Sequence, residues 1–159
     1  MPSSPTTRPG KTMYNLLSDN WPTTGVEKHI LKSNVHIQEI DYREDPDHPL
    51  NDTVFICISR SSGPAMTSQQ QDTLFICPIS VDVVYWCSSK TNEAIIAAKD
   101  KHWDAMQQVK KILQNSALIP SDWSFMKVQS SIPMNIEPPV PEVLYERISV
   151  DVQYDWSVT

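Results

Sequence analysis

Four histidines, three cysteines and a scatter of aspartates are the side chains best able to do chemistry in this 159-residue sequence, and their spacing decides what they can do. Gly10-Lys11-Thr12 copies the end of a phosphate-cradling loop, but the glycine such a loop needs at its start is Pro5, and no strand-like run precedes it. Asp45, Asp47 and His48 offer oxygen and nitrogen ligands, yet Pro46 and Pro49 flank them and the glycine and terminal glutamate of a calcium loop are missing. A solvated acidic loop is the simpler expectation. His29, His36, His48 and His102 show no zinc-type pairing. Cys57, Cys77 and Cys87 lie inside apolar runs without CxxC spacing, which reads as reduced core residues. No GxSxG elbow presents a nucleophile. Asp82 and Asp151 would form an acid-base dyad if their strands adjoined, against the plainer reading of two aspartates on a wet face. Tyr85, Trp86, Trp103, Tyr154 and Trp156 fall where core packing accounts for them. The expectation is therefore no catalytic residue, no cofactor and no metal ligand, in a protein that is not an enzyme.

Composition narrows the classes further. The length suits one domain, and 40% hydrophobic residues with five tryptophans supply a core that a disordered chain lacks. Thirteen prolines against three glycines imply stiff connections and few positions suited to positive φ. A net charge of −6 has the wrong sign for gripping a phosphate backbone. No apolar run approaches the ~20 residues of a membrane span, and the N-terminus lacks an export-type apolar region, so the sequon Asn51-Asp52-Thr53 carries no weight.

The elements follow from periodicity. Residues 1–12, rich in Pro, Ser and Thr, read as a flexible arm ahead of a single α+β domain over 13–159. Met13 to Leu17 suits a short helix, and Gly25 to Leu31 another. Val35 and Ile37 start a strand that leads into an acidic, proline-broken loop from Asp41 to Asn51. Val54-Phe55-Ile56-Cys57 is echoed by Leu74-Phe75-Ile76-Cys77, two apolar runs that read as buried strands joined by a long polar arm, Arg60 to Gln71. Pro78 should force a bulge or an edge before Ile79 to Trp86 continues. A second echo links Ile79-Ser80-Val81-Asp82-Val83 to Ile148-Ser149-Val150-Asp151-Val152. In the later copy Ile148, Val150, Val152, Tyr154 and Trp156 alternate with Ser149, Asp151, Gln153 and Asp155, giving one core face and one wet face. The two strands are neighbours in one sheet, or the likeness reflects common strand composition.

Between these strands the pattern predicts a helix from about Asn92 to Gln114. Thr91 or Asn92 caps it, and Ile95, Ala98, His102, Met106, Val109 and Leu113 form its buried stripe. Lys110 and Lys111 suit its C-terminal end, Asn115 a left-handed cap, and Pro120 prevents continuation. Trp123 to Gln129 reads as a strand, and Ser130 to Pro141 as an extended connection. The fold class expected is α+β: a mainly antiparallel sheet packed by one amphipathic helix, with a short N-terminal helix and long loops.

This order of elements, most closely over Val81 to Leu113 and the Arg147 to Trp156 ending, resembles the tail terminator proteins of long-tailed bacteriophages. The resemblance spans roughly Met13 to Thr159 and is one of pattern, since that family has no short diagnostic motif. It implies a homohexameric ring that caps the tail tube, stops its growth and meets a neck or head-completion protein, with the tail tube protein as the other partner. DNA would pass through the lumen without specific binding, no membrane would be involved, and the protein would reside in the virion after synthesis in the host cytoplasm. Acids Glu39, Asp41, Glu44, Asp45 and Asp47 are then lumen or rim candidates, because like charges keep DNA from sticking. Arg60, Met66, Gln69, Gln70, Glu137, Asp151 and Gln153 are interface candidates, from the two long loops and the wet sheet face. The alternative from another class is a small intracellular protein-binding or adaptor domain; a hexamer-sized ring against a strict monomer separates them.

Overall fold

The structure, a computed structural model, describes residues 8–25, 30–40, 52–60, 65–66, 73–134 and 143–156, with the backbone alone at 60, 65–66, 73–75 and 154–156. Helix α1 (Pro9–Asn20) begins with proline at its first turn, where the missing N–H costs nothing. It therefore takes in residues 9–12, the last part of the stretch expected as a flexible arm. Met13, Leu16 and Leu17 bury one face of it, and the Lys32 ammonium donates to the Ser18 carbonyl at 2.6 Å near its C-terminal end. A second helix reaching Leu31 does not form: Leu31 is extended, Lys32–Asn34 makes a single 3-10 turn, and residues 26–29 lie outside the described part.

Among the described residues six strands make one sheet: β1 (Val35–Gln38), β2 (Val54–Arg60), β3 (Ala65–Met66), β4 (Thr73–Trp86), β5 (Phe125–Pro133) and β6 (Val143–Trp156). The order across it is β1-β2-β4-β6-β5, with β3 also on β4. Only β1 with β2 is parallel, so the sheet is mainly antiparallel as expected. The echoed runs are indeed neighbours, because β4 and β6 pair along their full 14 residues. Their antiparallel register, however, sets Asp82 opposite Arg147 and Asp151 opposite Pro78, so no Asp82–Asp151 dyad exists.

Pro78 makes no bulge, but among the described residues it is an edge position, paired on the β6 side alone. It sits within the unbroken β4, between the last pairing to β2 at Ile79 and the first to β3 at Ile76. A missing donor is tolerated most easily where the neighbouring ladder is itself interrupted. β5 runs on to Pro133, past the point where an extended connection was expected, after a register shift between Val128 and Ser130. β6 begins at Val143, earlier than the alternation from Ile148 indicated.

Helix α2 (Asn92–Leu113) matches the predicted span to within a residue, and the Thr91 hydroxyl accepts from the Ala94 N–H at 3.2 Å. Asn115 does not provide a left-handed cap. It is extended, and its side chain accepts from the Ala117 N–H at 3.0 Å to start the 3-10 turn Ser116–Leu118.

Both helices lie on one sheet face. Val54, Ile56, Ile58, Val81, Val83, Ile148, Val150 and Val152 meet α1 and α2 there, in a core that also holds Trp21, Trp123 and Cys77. Full burial of a side chain of this size contributes about 1.5–3 kcal/mol. His102 belongs to this core: its Nε2–H donates to the Val83 carbonyl at 2.9 Å. All three cysteines are buried thiols outside any disulfide, Cys77 on the helical face and Cys57 on the other.

Candidate interaction surface

The sheet face away from the helices carries the unexpected chemistry. Phe55, Cys57, Val84 and Tyr145 form a second apolar cluster there, joined by Met134 and Val143. Among them Asp82 is buried, only 2% exposed, and is not the wet-face aspartate its alternation suggested. Register explains the burial: Cys57 stands opposite Asp82 on one side and Arg147 on the other, while Tyr145 stands opposite Val84 one step along.

Both carboxylate oxygens of Asp82 are engaged. Arg147 donates from Nε to Oδ1 at 2.9 Å and from Nη2 to Oδ2 at 3.0 Å, a two-pronged pair that suits the planar guanidinium. The Tyr145 hydroxyl donates to Oδ2 at 2.5 Å, and Arg147 Nη2 also reaches the Tyr145 oxygen at 3.3 Å. The hydrogen bonds it donates to Asp82 hold the Arg147 guanidinium pKa well above its ordinary value, against a smaller opposing effect of burial. Gln38 extends this polar row across β1, donating to Cys57 Sγ at 3.4 Å. With three donors on its two oxygens, the Asp82 carboxylate holds the second face together and orders Arg147 at its margin.

Sequence reasoning did not single out Tyr145 or Arg147, although a signal existed. Asp82 is the one charge in an otherwise uncharged fourteen-residue strand, and Arg147 is the one base in β6. A lone acid in a buried run needs a lone base to meet it.

The interface candidates fall in several places. Asp151 and Gln153 lie side by side in alternation on the second face of β6, half-buried, opposite Lys127 and Phe125 of β5. Arg60 ends β2 and Met66 lies in β3, where only their backbones are described. Gln69, Gln70 and Glu137 lie outside the described residues, as do Asp41, Glu44, Asp45 and Asp47 of the acidic segment. Glu39 is described and pairs with Arg8 at 3.0 Å. Asp52 turns the chain into β2 with φ 59°. Its carboxylate accepts from the Ser88 hydroxyl at 2.6 Å and N–H at 3.2 Å, and these bonds hold it below its ordinary value. Gly10-Lys11-Thr12 lies in α1 and not in a phosphate loop, with the Lys11 ammonium 4.7 Å from the Tyr14 ring centre. Among the described residues no cluster of His, Cys, Asp and Glu has metal-binding geometry.

One aromatic contradicts expectation. Trp103 is 58% exposed, because it falls on the outer side of α2 beside the buried His102. Ile96, two helical turns earlier on the same outer side, is 60% exposed. Beyond the C-terminal end of this helix lies an open cavity of about 230 Å³, lined by Leu113, Gln114, Ser116, Ile119, Met126, Lys127 and Val128.

No protein-family model and no curated protein sequence matches the chain.

Proposed function

We propose that this chain is a structural protein of a virion tail, whose copies form a ring that caps the tail tube, ends its growth and joins the tail to neck or head-completion proteins. The observation that carries this reading is an arm built into the sheet. β4 and β6 pair over 14 residues, but among the described residues β2 accompanies β4 only from Ile79 onward and β5 joins β6 only up to Gln153. Their far ends, Thr73–Ile76 and Tyr154–Trp156, continue with β3 as a narrow three-stranded projection.

A few strands extending past the rest of a sheet are marginal by themselves and are stabilised by lying on a neighbour. A contact between this arm and a different surface of the next copy is heterologous, and heterologous contacts close into rings when the rotation allows. The order of elements, like that of the tail terminators, supports the same reading. The acidic segment 39–52 and the net charge of −6 suit a lumen or rim that DNA passes without sticking.

The test is assembly of the full chain, alone and with purified tail tubes, followed by negative-stain imaging and sedimentation. Hexamer-sized rings or capped tubes are expected. Replacing residues 66–75 by a two-residue Asn-Gly turn, which joins the paired Ala65 and Ile76 directly and so shortens the arm, should leave the fold intact by circular dichroism and abolish both. A chain that stays monomeric and leaves tube ends bare overturns the reading, as does a shortened arm that still forms rings.

A further inference from the structure

We infer that the outer face of α2 is a self-association surface, on which Trp103 of one copy enters the cavity at the end of α2 in a second copy. The knob and one wall of the hole, Gln114, lie on one side of α2, and β5 and the segment after the helix supply most of the other walls. Residues 103, 107, 110 and 114 follow one another at three-to-four spacing, so Trp103 and the cavity-lining Gln114 share a face, about 16 Å apart along the axis. An antiparallel copy, related by a two-fold midway between Gln107 and Lys110, therefore brings each Trp103 over the other's Gln114 and satisfies both cavities at once.

Size and charge agree with this occupant. The cavity, about 230 Å³, has room for an indole, and its lining mixes Leu113, Ile119, Met126 and Val128 with the polar side chains of Gln114, Ser116 and Lys127. Gln114 and Ser116 supply oxygens for the indole N–H, and the Lys127 ammonium can lie over the ring face. In an antiparallel helix pair, residues on the same flank of each helix meet. Asp104 and Lys111, seven positions apart on one flank, then fall at nearly the same height from opposite copies, forming two symmetry-related ion pairs beside the buried tryptophans. Lys111 is exposed and Asp104 half-exposed, so both are free to turn toward the partner.

This contact is independent of the ring. It is isologous, whereas a cyclic ring is closed by unlike surfaces. If rings form, it joins two of them face to face; if they do not, it makes a dimer.

Sedimentation of the full chain over a concentration series, up to about 500 µM, tests the proposal, since small interfaces are weak. The wild-type particle should have twice the mass of the Trp103→Ala particle at high concentration, whichever unit is doubled. Trp103→Ala should weaken association by ~10-fold or more, as removal of a central tryptophan does in other interfaces. Asp104→Lys and Lys111→Asp should each weaken it, and the double swap D104K/K111D should restore it, because the pair re-forms with reversed sign. These positions are on the surface, so circular dichroism should show every variant folded. A wild type that never doubles, an unchanged W103A, or a double swap no better than its single parents overturns the proposal. Loss of rings in the shortened-arm variant with doubling retained would leave this contact standing and the two surfaces separate.

Discussion

Asp82 and Arg147 stand directly opposite one another on β4 and β6, joined by two hydrogen bonds of 2.9 and 3.0 Å, with Asp82 enclosed by sheet neighbours and Arg147 at the margin. Removing one member strands the other. Arg147→Ala should lower unfolding free energy by about 3 kcal/mol, near the low end for a broken buried pair because the arginine side chain is 32% exposed. Arg147→Lys should recover only part, since an ammonium cannot make the two-pronged contact. The replacement of both residues, D82V/R147M, should cost far less than R147A alone, because no uncompensated charge remains buried. Urea denaturation of the three variants gives the comparison.

His102 makes stability depend on pH. Burial in the core is the largest cause and holds its imidazole below the ordinary 6.5, while the bond to the Val83 carbonyl and the charge of Glu146 oppose this in part. Glu146 has this influence because it stands opposite Val83 in the ladder. The unfolded chain then binds the proton more tightly than the folded one. Stability should therefore be unaffected well above pH 6.5 and should fall as pH drops through that value. Thermal melts at pH 7.5 and 5.5 should differ in the wild type, and His102→Gln, which can still donate to Val83, should flatten the difference.

Asp52 answers to a lower pH window. Its carboxylate, held below 3.8 by the Ser88 bonds, contributes stability above that pH and loses it as pH falls further. The residue also occupies the left-handed region at φ 59°, which Asp and Asn tolerate better than other side chains. Asp52→Ala should cost about 1–2 kcal/mol, from backbone strain and lost hydrogen bonds together. Asp52→Asn should cost less and should remove the dependence below pH 3.8. Denaturant midpoints at neutral and acid pH distinguish the two.

Gln108 is buried on α2, 6% exposed, and its side-chain amide makes no hydrogen bond among the described residues. A buried amide in that state carries an unrecovered desolvation cost. Gln108→Met, of similar length and shape, should raise stability by about 1 kcal/mol, read as a higher denaturation midpoint.

What the sequence determined by itself was local. The span of α2, its Thr91 cap and its buried stripe follow from periodicity and capping chemistry, which act within a few residues. The α+β class and the apolar face of β6 follow in the same way, as does the placement of the cysteines in the core. The early start of α1 at Pro9 was missed because a proline at a first turn resembles a proline in a loop.

Tertiary structure decided everything that depends on register. Alternation showed which residues share a face of one strand, but not which strand lies alongside or at what offset. The antiparallel offset of β4 and β6 turned an anticipated Asp82–Asp151 pair into an Asp82–Arg147 one and buried an aspartate that alternation alone left wet. Likewise, only the packed position of α2 showed Trp103 turned outward and a cavity formed by residues of α2, β5 and the segment between them. Contacts of that kind join distant parts of the chain, and no local pattern encodes them.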